Sequence, residues 1–222
     1  MTEKMLAAIQ AAWPLTERDA GDYAAMNVTG VAFTVRCFTA AGLGNVSLMH
    51  GEIPGVMAMD TVVVNPFERD MPLFSYDRIY AGPKDTVFLE LYDTRLAYVP
   101  DTGKLAEVIA SFEDLATGSF APCWYDDILF KESVRKDATA EKTPRMDELT
   151  EAYLSEYLRL CALAPECGPA LKRKAASAYT EGLLSNGGTS TDNFLKNKGK
   201  TFTQGLFRGP LFGTGEPEHD PA

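Results

Sequence analysis

Five β-like stretches follow one another between residues 28 and 92, and this succession constrains the fold more than any other feature of the chain. Each stretch is rich in Val, Ile, Phe, Tyr or Thr, as strands are. The connections include Pro54-Gly55 and the turn-forming residues 82–85. Because short connections join antiparallel neighbours, the sequence predicts an antiparallel meander with strands over residues 28–39, 45–53, 56–64, 73–81 and 86–92.

Helical periodicity replaces the strand pattern after Pro100. Apolar residues recur every three or four positions at 105–112 and 149–163, and we predict further helices over residues 3–13, 170–184 and 190–207. Strands first and helices afterwards indicate an α+β fold. We expect a three-layer α/β/α sandwich whose central antiparallel sheet has helices on both faces. Residues 1–213 are predicted to form one domain, and residues 214–222 a flexible polar tail.

Composition and charge narrow the possible partners. The 222 residues are 45% hydrophobic, which suits one sizeable soluble domain, and the net charge of −10 argues against nucleic acid as a partner. Residues 171–209 are nevertheless basic, which indicates either solvated helix faces or a surface for an anionic ligand or acidic protein. No apolar run is long enough to cross a bilayer and the first residues do not resemble a signal peptide, so we expect a cytoplasmic protein without membrane contact.

Several kinds of catalytic site are disfavoured by what the sequence lacks. The four cysteines form no Cys-x-x-Cys pair and have no histidine nearby, so we expect no metal site. There is no Gly-x-Ser-x-Gly motif and no P-loop, which argues against a nucleophilic serine and against nucleotide binding through a glycine loop. Apart from His219 in the tail, His50 is the only histidine.

Two aspartates at strand positions are the remaining candidates for chemistry. Asp60 alternates in phase with Val62 and Val64, and Asp77 in phase with Leu73 and Ile79. A carboxylate on an apolar strand face is costly unless it is paired, and such groups are often functional. Either aspartate can instead be structural, as the end of a strand ladder or as an acceptor for a backbone N–H. The residues alone leave both interpretations open.

The stretch around Asp77 resembles the ferredoxin-dependent bilin reductases. It reads Pro66-Phe-Glu-Arg-Asp70-Met-Pro72-Leu-Phe74-Ser-Tyr-Asp77, and the next predicted strand ends Leu-Tyr-Asp93. The order of one helix, antiparallel strands and then helices is also similar to this family. The resemblance implies an α/β/α sandwich that reduces biliverdin or a related linear tetrapyrrole with electrons from ferredoxin or flavodoxin. It implies no bound metal or flavin, because the bilin is itself the redox centre and the protein supplies protons.

The resemblance also implies roles for individual residues. Asp77 matches the central catalytic aspartate of the family. Asp60 stands where relatives have His or Asn, and the position of a catalytic glutamate holds Leu48, so we expect Asp60 or His50 to assist Asp77. Four residues are expected to bind the substrate. Lys131 and Arg135 would lie near the propionates, and Asn186 and Asp192 near the start of a C-terminal helix.

The sequence thus favours a bilin reductase-like oxidoreductase that uses carboxyl groups as proton donors. A tetrapyrrole-binding protein that kept the fold and lost catalysis is the alternative, and the altered positions 48 and 60 favour it. An unrelated α+β interaction module, in which Asp77 lies on an ordinary strand, also remains open.

Overall fold

One antiparallel sheet organises the computed structural model of the protein, which describes residues 1–118 and 121–215. Within these ranges the sheet has nine strands, in the order β1-β3-β4-β5-β6-β7-β9-β8 with β2 paired to β3. The strands are β1 (Leu15–Arg18), β2 (Ala25–Val28), β3 (Val31–Ala40), β4 (Gly44–Ile53), β5 (Met57–Asn65), β6 (Leu73–Ala81), β7 (Lys84–Tyr92), β8 (Ala116–Thr117) and β9 (Val134–Thr139).

Helices cover both faces of this sheet. The α-helices are α1 (Thr2–Ala12), α2 (Gly103–Ala110), α3 (Thr143–Leu163), α4 (Pro169–Asn186), α5 (Thr189–Lys198) and α6 (Lys200–Leu206). A π-helical turn, Phe207–Leu211, follows α6. Among the described residues, no helix is both long enough and apolar enough to cross a bilayer.

The apolar side chains of the two sheet faces form two separate cores. The first core joins α1, α2 and α3 to one face, through residues such as Ile9, Val62 and Tyr153. The second core joins α4, α5, α6 and the π-helical turn to the other face, through residues such as Val63 and Leu183. Because side chains alternate between faces along a strand, neighbouring residues such as Val62 and Val63 belong to different cores.

The predicted sandwich is confirmed, and so are the five central strands, which became β3 to β7 within a few residues. The predicted continuous helix over residues 190–207 is wrong. The chain breaks at Gly199, whose φ of 82° lies in the left-handed region that glycine adopts readily, and α5 and α6 form instead. Most of the predicted tail, residues 216–222, lies outside the described residues.

Candidate active site

A cavity of about 210 Å³, partly open to solvent, lies between the sheet and the C-terminal helices. Strands β4 to β7 form its floor, while α4, the first turn of α5 and the π-helical turn form its opposite wall. Asp77 reaches this cavity because it alternates in phase with Leu73, a residue of the second core. The polar side chains that line the cavity from this face of the sheet are Thr61, Ser75, Asp77, Glu90 and Tyr92.

Each carboxylate oxygen of Asp77 accepts a hydrogen bond from a hydroxyl group. Thr61 Oγ1 donates to Oδ1 over 2.5 Å, and Ser75 Oγ donates to Oδ2 over 3.1 Å. Burial outweighs these bonds and raises the pKa of Asp77 to about 6, with a further contribution from the negative charge of Glu90. A carboxyl group with this pKa is partly protonated near neutral pH, as a general acid must be.

A second carboxylate that the sequence analysis missed lies beside Asp77. Glu90 is buried, lines the cavity and pairs in register with Ser75 on the neighbouring strand. Its Oε1 accepts a bond from Arg135 Nε over 2.7 Å, and its Oε2 accepts one from the Tyr92 hydroxyl over 2.5 Å. The sequence signal that could have identified Glu90 is an acidic residue between Leu89 and Leu91 in a predicted strand.

Aromatic rings form the side of the cavity next to Glu90. Tyr92 stacks on Tyr179 of α4 with ring centroids 4.1 Å apart, and Tyr125 meets Tyr92 edge to face at 5.4 Å. Trp124 stacks on Tyr179 at 5.9 Å. Trp124 packs against Gly182, where a Cβ atom would lie 2.2 Å from the indole ring, so this contact requires glycine. The cavity thus combines flat aromatic surfaces with two acids, a lining suited to a conjugated ligand that carries N–H groups.

His50 lies outside the cavity, and Asp60, although it is one of the lining residues, does not direct its carboxylate toward Asp77. They alternate in phase with Leu48 and Val62, which belong to the first core, so their side chains project from the opposite face of the sheet. There Asp60 Oδ1 lies 2.7 Å from His50 Nδ1. The residue directly across from Asp77 on β5 is Thr61. The structure therefore places a hydroxyl group, and neither His50 nor Asp60, beside the catalytic candidate.

None of the four predicted substrate-binding residues lines the cavity. Arg135 comes closest, since its guanidinium bonds to Glu90 and packs against the ring of Tyr125. The Lys131 side chain is 87% exposed and lies 3.7 Å from Glu132. Asn186, at the end of α4, and Asp192, on α5, are exposed at the edge of the fold next to the lining residue Gly188. Their assigned roles remain predictions.

No cluster of three or more His, Cys, Asp or Glu side chains that could hold a metal ion occurs in residues 1–118 and 121–215. The four cysteines are unbridged and buried or half-buried. Burial raises the pKa of the Cys161 thiol to about 12, so this group stays protonated.

Sequence comparison finds no matching family model and no matching curated protein. Structural comparison finds a match to phytochromobilin synthase from tomato, which was solved in complex with biliverdin. The TM-score is 0.75 at 13% sequence identity, and the match covers 97% of this chain and 83% of the tomato chain. At this identity the similarity establishes the fold alone. The chain therefore has the fold of phytochromobilin synthase, a ferredoxin-dependent bilin reductase, as the motif around Asp77 predicted.

Proposed function

We propose that the protein is a bilin reductase-like oxidoreductase that binds a linear tetrapyrrole in the cavity between the sheet and the C-terminal helices. The observation that carries the proposal is the position of Asp77. In a fold shared with a protein that was solved with biliverdin, this carboxyl group lines an aromatic cavity with its pKa raised to about 6.

The tetrapyrrole is the redox centre in this proposal, and the chain supplies the proton. An electron from a reduced donor would give a tetrapyrrole radical anion. Asp77 would transfer its proton to that radical anion, and the carboxylate formed would be stabilised by the hydroxyl groups of Thr61 and Ser75. A second electron and a second proton would complete the reduction of one double bond. Solvent can return the proton to Asp77, because the cavity is partly open.

An acidic electron carrier such as ferredoxin or flavodoxin is the proposed donor. Among the basic residues of positions 171–209, Lys174, Lys196, Lys198 and Lys200 are exposed, although the chain as a whole is negatively charged. Exposed lysines near the C-terminal helices favour an acidic partner through electrostatic steering.

Absorption spectroscopy tests the binding step directly. We expect biliverdin to show a shifted and sharpened visible band when it is titrated with the protein, because packing against the aromatic side of the cavity fixes one conformation of the pigment. A Leu183→Trp variant, which places a large side chain in the cavity wall, should weaken this change. The exposed Leu163→Trp variant is the control and should bind normally. No spectral change with the wild-type protein would refute the proposal.

A tetrapyrrole-binding protein without catalysis is the second candidate. The side chains of His50 and Asp60 lie on the face opposite to Asp77, and this position favours the second candidate. The ionisable group that remains near Asp77 is Glu90, which is already in an ion pair with Arg135. Turnover with a reduced electron donor separates the two functions. Pigment binding without any reduction would support the second candidate.

A further inference from the structure

The charged side chains that face the cavity are acidic. The acidic lining residues are Asp60, Asp77 and Glu90. The carboxylate of Asp60 lies beside His50 on the opposite face of the sheet, whereas Asp77 and Glu90 face the cavity. Arg78 is the one basic residue in the described lining, but its guanidinium lies on the opposite face, where it binds Asp85 over 2.7 and 2.8 Å and also binds Asp147. Among the lining residues that the structure describes, the cavity therefore offers no cationic group that is not already paired.

Arg135 binds the lining residue Glu90 from outside the cavity, and two carboxylates pair with its guanidinium. Its Nε lies 2.7 Å from Glu90 Oε1 and its Nη2 lies 3.2 Å from Asp126 Oδ1. Glu90 is itself fixed, since its second oxygen accepts the Tyr92 hydroxyl and only 4% of its side chain is exposed. A carboxylate approaching Arg135 from the cavity would thus meet the charge of Glu90 first, and would be repelled by it.

We propose that Glu90 determines which part of a tetrapyrrole enters the cavity, by holding Arg135 as its counter-ion and so excluding carboxylate groups. The inference rests on the proposed function and specifies its ligand. The pyrrole rings and their N–H groups enter toward Asp77 and Glu90, while the propionates stay outside. Arg135 then acts as a positioning residue for Glu90 and does not bind a propionate.

Biliverdin and its dimethyl ester provide the test, because they share the conjugated system and differ in the charge of the propionates. Dissociation constants from absorption titrations should agree within about threefold for the wild-type protein. Glu90→Gln removes the negative charge that holds Arg135, so this variant should prefer the free acid by about tenfold. Arg135→Gln should keep the two constants similar, because Arg135 makes no propionate contact.

Circular dichroism checks that Glu90→Gln folds. A second variant keeps the inference testable if Glu90→Gln does not fold. Asp126 is a partly exposed partner of Arg135, with 38% of its side chain accessible, and Asp126→Asn should shift the preference toward the free acid by about threefold. A wild-type preference of tenfold or more for the free acid that disappears in Arg135→Gln would overturn the inference. An unchanged preference in both folded variants would also overturn it. No spectral change with either pigment would refute the proposed function, and the inference with it.

Discussion

Thr61 and Asp77 lie directly opposite each other on β5 and β6, and the threonine hydroxyl donates to the aspartate carboxylate over 2.5 Å. The bond stabilises the charged form of a carboxyl group that burial would otherwise keep protonated. Thr61 therefore limits how far the pKa of Asp77 rises, and it fixes the direction of the carboxyl group toward the cavity.

Replacing Thr61 with Val should raise the pKa of Asp77. The change removes one hydrogen bond to the carboxylate and keeps the side-chain shape, so we expect an increase of about one pH unit. Carboxyl ¹³C NMR titration measures this, with the Asp77 signal identified by its absence in Asp77→Asn. Ser75→Ala is the matched variant, and its longer bond of 3.1 Å predicts a smaller increase. A lower pKa in Thr61→Val would contradict this role.

Asp77→Asn should make the protein more stable than the wild type at neutral pH. Because the pKa of Asp77 is raised to about 6 in the folded protein, the folded state binds its proton more tightly than the unfolded state does. Wild-type stability is therefore lost as the pH rises from about 4 to about 6, whereas Asn does not titrate. The difference in unfolding free energy should grow over this window and level off at about 3 kcal/mol.

Urea unfolding of both proteins at several pH values measures this difference. The other titrating groups are common to the two proteins and cancel in the comparison. A difference that stays constant between pH 4 and pH 7 would show that the Asp77 carboxyl titrates normally.

Lys172→Met should destabilise the protein without involving the cavity. The buried ammonium group of Lys172 donates to the carbonyl oxygens of Met71 and Thr94, each over 2.6 Å, and so fixes α4 to the chain segments that flank β6 and β7. Burial lowers its pKa to about 8. Loss of the donor leaves two buried carbonyl groups unsatisfied, so we expect the unfolding free energy to fall by about 3 kcal/mol.

The exposed residue Lys174, one half-turn further along α4, supplies the control. Lys174→Met should change stability by no more than about 0.5 kcal/mol. Equal stability of the two variants in urea unfolding would mean that the buried lysine contributes nothing to the attachment of α4.

The order of strands and helices along the chain was sufficient to predict the fold, whereas strand alternation did not predict the composition of the site. Alternation correctly grouped Asp77 with Leu73, and Asp60 with Val62, within their own strands. The register between strands decides that Asp77 meets Thr61, and a shift of one residue moves a side chain to the other face. The residue pattern of a single strand does not determine its register with the neighbouring strand.

Glu90 was missed for a related reason. Both faces of the sheet are covered by helices, so the residues of β7 are apolar on both faces and an acidic residue there has no obvious direction. The cavity that makes Glu90 significant forms only where α4 and the π-helical turn leave space above the sheet. Such a space depends on tertiary packing, which the sequence pattern does not encode locally.

A single-turnover reduction of bound biliverdin by Asp77→Asn tests the central claim most directly. Asn preserves the shape of the side chain but cannot donate a carboxyl proton, so the variant should bind the pigment with near wild-type affinity. Its reduction rate with a reduced ferredoxin should be lower by about 100-fold or more, the usual contribution of a general acid. Reduction at the wild-type rate by a variant that binds normally would contradict the proposed role of Asp77.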